Sequence, residues 1–176
     1  NYPGIRAPIP REMVVAYVKP LLPYLYRVFK IPTHLKPQPL DNYFSLITLK
    51  NGELNHAQTI PHFDTNNPYQ IAMVHYLNEG FFGGTSFYRH ADTGWEYIDQ
   101  RRRSEYLHLV NDCISGSPSY PLNYCTAAHP LFECHKTIDY RENRLLIFNG
   151  YLLHSTAVNL DTDIDASPLS GRLTAN

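Results

Sequence analysis

His62-Phe63-Asp64 and, ninety residues further along, His154 are the residues whose types could do chemistry together. Two imidazoles and one carboxylate make the facial set that holds non-haem Fe(II) while leaving coordination positions open. Residues i and i+2 of an extended strand project from one face, so His62 and Asp64 can approach one ion while Phe63 packs behind them. The third ligand must arrive from a separate strand. His154 follows the strand-like run Leu145-Leu146-Ile147-Phe148, and a barrel brings such distant strands together.

A His-x-Asp spacing alone carries little weight. With nine histidines in the chain, roughly one His-x-Asp/Glu match arises by chance. A second occurs at His90-Ala91-Asp92, where Asp92-Thr93-Gly94 reads as a turn, so His90 is expected on a surface loop. His62 instead precedes a strong strand pattern over residues 70–77. Cys125, His129, Cys134 and His135 lack the tight Cys-x-x-Cys pairing of a zinc site and read as buried or half-buried thiols beside structural histidines. The run Arg101-Arg102-Arg103 reads chiefly as a solvated helical face, with an anionic-substrate contact as the alternative.

These residues need strands to position them. Residues 43–49, 54–60, 70–77 and 84–89, then 131–140, 143–149, 154–159 and 172–176, are short β-prone runs, with Lys50-Asn51-Gly52-Glu53 as a hairpin turn. Upstream, Val14, Val18, Leu21, Leu22, Leu25 and Phe29 make one helical stripe, which Pro20 and Pro23 should kink or divide. Residues 31–40 form a proline-rich connector, and a second helix is expected over 99–114. This order predicts a mainly β fold with flanking helices, a double-sheet jelly roll, in one domain over 1–176: helical support over 1–40 and the β core over 42–176.

The 176 residues can bury a sizeable core, and 43% apolar with 18% charged residues is ordinary for a globular chain. A net charge of −1 gives no electrostatic argument for nucleic acid or an anionic membrane as partner. No apolar stretch approaches the roughly twenty residues a membrane helix needs. Three cysteines, an odd number with no leader before them, suit reduced thiols in a cytoplasm. The missing initiator methionine and the stop at Asn176 within a strand pattern raise the expectation that natural ends are absent.

Several further stretches stand in a fixed order: Tyr76-Leu77-Asn78, then Gly83-Gly84-Thr85-Ser86-Phe87, then Asn143-Arg144-Leu145-Leu146-Ile147-Phe148 leading to His154, then Gly171-Arg172-Leu173-Thr174. Over residues 43–176 this series resembles the Fe(II)- and 2-oxoglutarate-dependent dioxygenases, in their prolyl-hydroxylase-like branch. The resemblance implies Fe(II) on His62, Asp64 and His154, with Arg172 pairing the distal carboxylate of 2-oxoglutarate and Tyr76 bonding the same group. It implies hydroxylation of a small molecule or peptidyl side chain by O2, with release of succinate and CO2; desaturation or cyclisation starts from the same chemistry. The alternative is a jelly-roll protein that holds metal or ligand without turnover. Prime substrate and oligomeric state are not readable. Seventeen residues separate His154 from Arg172, more than the family usually has, and the excess over 161–168 is expected to be a mobile flap, with a solvated connector as the plain alternative. Arg144 is the other basic residue at hand for the carboxylate.

Overall fold

In the computed structural model, which describes residues 2–126 and 129–176, the chain forms two antiparallel sheets with short helices outside them. The larger sheet has the order β1 (Gly4–Pro8), β2 (Tyr43–Ile47), β8 (Thr174–Ala175), β3 (Ile71–Tyr76), β6 (Leu145–Asn149). The smaller has the order β5 (Phe132–Ile138), β4 (Thr85–His90), β7 (His154–Thr156). Aromatic side chains join the two layers: Phe87 of β4 meets Phe148 of β6 edge to face at 5.1 Å, and Tyr76 Oη of β3 shares a 2.8 Å hydrogen bond with Thr85 of β4.

Alternation along β4 sorts the side chains. Thr85 and Phe87 face the larger sheet, whereas Tyr88 packs on the outer face with Phe132 and Leu153. Two short helices cover that outer face, α3 (Arg103–Leu109) and α4 (Asn111–Ile114), through Tyr106, Val110 and Cys113. The expected helix over 99–114 therefore starts at Arg103 and breaks at Val110. Asp99 Oδ1 accepts the amides of Arg101 and Arg102 at 3.0 Å, which sets the turn ahead of it.

The N-terminal helix divides as its prolines require, into α1 (Arg11–Val18), a 3-10 turn at Lys19–Leu21 and α2 (Leu22–Val28). Its predicted stripe is the less exposed face, with Leu25 buried. Two strand expectations fail. Residues 54–60 form no strand; Asn55 and Gln58 close a capping box around a 3-10 turn, each side chain bonding the other's amide. The turn at Lys50–Glu53 exists, with Gly52 at φ 85°, yet the chain beyond it does not return to β2. That edge is taken by β1, which pairs Gly4 with Ile47 through Pro8 with Tyr43 and which sequence pattern did not disclose. Pro8 is tolerable there because β1 is an edge strand. Among the described residues no helix is long and apolar enough to cross a membrane.

Candidate metal centre

His62 stands on an extended segment bridged antiparallel to β7, with both His62 N and His154 N donating across the bridge at 2.9 Å. Asp64 follows on the same face and is fixed by its own amide, which donates to Gly150 O at 2.7 Å. This backbone exchange brings together residues ninety positions apart. His62 Nε2 lies 3.6 Å from Asp64 Oδ1, and His154 Nε2 lies 3.8 Å from Asp64 Oδ2. The three donor atoms all fall within 4.8 Å of one another. Among the described residues this is the one such convergence of His, Cys, Asp or Glu.

The separations suit an ion better than they suit the bare protein. Gaps of 3.6 and 3.8 Å are too long for hydrogen bonds, yet short enough for one ion with bonds of about 2.1 Å to span. His154 Nδ1 lies 2.9 Å from Leu152 O, a contact that places the proton on Nδ1 and leaves the Nε2 lone pair toward Asp64. The two rings stand 4.3 Å apart. Phe87 and Phe148 wall His154, whose side chain is 9% exposed, while His62 and Asp64, at 56% and 36%, leave the outer side open. Such a donor set, walled on one side and open on the other, fits a metal that keeps free coordination positions.

Arg172 and Tyr76 also lie together, with the guanidinium carbon 5.5 Å from the Tyr76 ring centroid and 5.8 Å from that of Tyr140. Both residues are buried between the sheets. Arg172 Nε donates to Gly83 O at 2.7 Å and Nη2 to Gly84 O at 3.2 Å, while Asp163 Oδ2 stands 3.7 Å from Nε. Nη1 makes no hydrogen bond among the described residues. The cation expected to pair with a ligand carboxylate thus already has a counter-charge within the protein. Arg144 is turned elsewhere, its Nη1 donating to Asp139 O at 2.5 Å.

Asp163 is the residue that sequence reasoning missed. It is fully buried and accepts from the amides of Gly83 and Asn159 at 3.0 to 3.1 Å. Asp165 N donates to Ile47 O, and the Asn78 side-chain amide reaches Pro168 O and Gly171 O. The flap expected over 161–168 is therefore a fastened loop whose anchor is a carboxylate rather than an apolar side chain. Gly83-Gly84 lies against the same Asp163–Arg172 pair. A Cβ on Gly83 would fall 1.7 Å from Ala157 O, and one on Gly84 2.0 Å from Ile138 O, so both glycines permit close backbone approach.

His90 also departs from expectation. It ends β4 at 1% exposure, edge-on to Phe132 at 5.6 Å, instead of lying on a surface loop. Cys125, His129 and Cys134 line a cavity of about 500 Å³ behind the smaller sheet. Burial pushes the Cys125 thiol up to about 12, which makes it a poor metal ligand.

The architecture and site together define a mainly β protein of two antiparallel sheets with a His-Asp-His cluster at one opening between them. The chain belongs to the family described as "Family of unknown function (DUF6445)", which matches residues 1–176. No curated protein and no solved structure matches it.

Proposed function

We propose that the protein is an Fe(II)- and 2-oxoglutarate-dependent dioxygenase that hydroxylates an unactivated C–H bond of a small molecule or peptidyl side chain, releasing succinate and CO2. The observation that carries this reading is the convergence of His62, Asp64 and His154 at an open edge between two sheets. Sheet orders β2-β8-β3-β6 and β5-β4-β7, with the His62 segment bridged to β7, support a double-stranded β-helix, the jelly roll in which such sites sit. When bound, iron would supply the activation of O2 and of the keto acid. The chain's own part is to bind and orient. Asp64 and the two imidazoles would occupy one face of the ion, and Phe87 and Phe148 keep water from His154. Arg172 and Tyr76, which lie together, would hold the distal carboxylate, the fork of an arginine being suited to that task. Three unpaired thiols are what a reducing compartment preserves, which supports a cytoplasmic setting.

The counter-charge on Arg172 is the observation that favours the second reading, a jelly-roll protein that binds metal or ligand without turnover. Succinate release separates the two. Protein loaded with Fe(II) under air should convert 2-oxoglutarate to succinate even without prime substrate, and His154→Ala should not. Stoichiometric iron binding without succinate from the wild type would decide for the non-catalytic reading.

A further inference from the structure

The run Arg101-Arg102-Arg103 closely follows Tyr97, which is bridged to the chain leading into His154. Tyr97 is bridged to Leu152, and Leu152 stands two residues before His154 on the same face, lining a recess with Phe87. The Tyr97 ring meets that of Tyr151 at 5.1 Å. Over Tyr97, at 4.1 Å from its centroid, lies the Arg102 guanidinium, which also stands 5.2 Å from the ring of Trp95. Main-chain hydrogen bonding fixes it further, Arg102 Nη1 donating to Tyr97 O at 3.2 Å.

No carboxylate oxygen lies within 4.0 Å of this half-buried cation among the described residues. The nearby acids are engaged elsewhere. Asp99 Oδ1 takes the amides of Arg101 and Arg102, and Glu96 pairs with Arg89 at 3.7 Å. Of the five donors of a guanidinium, one is bonded among the described residues. Arg101 and Arg103, both exposed, add positive charge beside it. A charge held rigidly by aromatic faces, half out of water and without a counter-ion, is prepared for an oxyanion.

We propose that Arg102, with Trp95 and Tyr97, forms an oxyanion subsite on the rim of the metal cleft, and that the prime substrate carries a carboxylate or phosphate there. The Tyr97–Leu152 bridge joins the subsite to the chain leading into His154, and the gap between guanidinium and cluster would set the span between the anionic group and the carbon to be oxidised. That span rests on the dioxygenase reading; the anion subsite itself does not.

Trp95 is the single tryptophan of the chain and reports from within the subsite. Its emission, with calorimetry alongside, should follow benzoate and phenyl phosphate titrated at millimolar concentration into metal-free protein, and the saturable response should weaken with salt. Neutral benzamide should give none. Arg102→Gln should weaken benzoate at least tenfold while binding Zn(II) at the cluster as the wild type does. Arg102→Lys should lose less, because it keeps the charge without the planar fork. His154→Ala should lose the metal and keep the benzoate response, so failure of the metal reading and failure of the subsite look different. Equal binding of benzamide, unchanged benzoate affinity in Arg102→Gln, or no saturable response in the wild type overturns the subsite. A preference for phenyl phosphate or for benzoate names the oxyanion.

Discussion

His90 is an imidazole sealed among aromatic rings with Nε2 unbonded and only a 3.3 Å contact from Nδ1 to Thr93. Burial lowers its pKa, with Asp92 opposing in part. The unfolded chain takes this proton near pH 6.5, whereas the folded protein resists it, so the associated stability is full above that pH and is lost progressively below it. We expect His90→Phe to flatten part of the acid slope and to leave stability at pH 7.5 equal or higher, since it replaces an unsatisfied polar atom. Urea midpoints at pH 7.5 and pH 5 check this; an unchanged slope would show that another group carries it. Sequence pattern misplaced His90 because the turn signal in Asp92-Thr93-Gly94 says where a strand ends but not how much covers it. His62, Asp64 and His154 were legible for the opposite reason. Strand periodicity fixes which face a residue takes, which put His62 and Asp64 together, and the convergence with His154 follows from the bridge to β7.

The loop between β7 and β8 depends on the Asp163–Arg172 pair, and the pair in turn holds Gly83 and Gly84. Removing one partner leaves the other charge buried, a loss of about 3–5 kcal/mol. Arg172→Ala should therefore lower the melting temperature sharply, and Arg172→Met with Asp163→Asn should recover much of it. Thermal melts of the three proteins test this, and equal melting temperatures for single and double variants would refute the pairing. An effect of Arg172→Ala on 2-oxoglutarate affinity can be interpreted only beside the double variant. None of this was visible in the sequence, where three aspartates among few apolar residues read as a mobile flap, with a solvated connector as the alternative. Composition reports the average environment of a segment, and one buried carboxylate with amide donors reverses it. The capping box at Asn55 and Gln58 was legible at i, i+3, yet the β-prone composition of residues 54–60 outweighed it. Strand β1 was not legible, for five residues between prolines give no period to count.

At the scale of the whole molecule, the cluster adds side-chain contacts between the His62 segment and β7, which the backbone already bridges. An ion that binds the folded state alone raises its stability by about 2.7 kcal/mol at one hundred times its dissociation constant. Fe(II) or Zn(II) should raise the melting temperature of the wild type, a chelator should reverse the rise, and His154→Ala should show neither. A metal-induced rise of equal size in His154→Ala would place the ion elsewhere.

Strand β8 lies between β2 and β3 in the larger sheet, so residues near position 175 separate strands made far earlier in the chain. A ribosome releases these residues well after both neighbours. Until they emerge, β2 and β3 lack their common neighbour, and the partners of Tyr76 and Gly83 on this strand's approach do not yet exist. The sheet therefore closes late, through distant contacts, in the regime where folding takes milliseconds to seconds, and the nascent chain passes through an interval in which two strand edges stand open side by side.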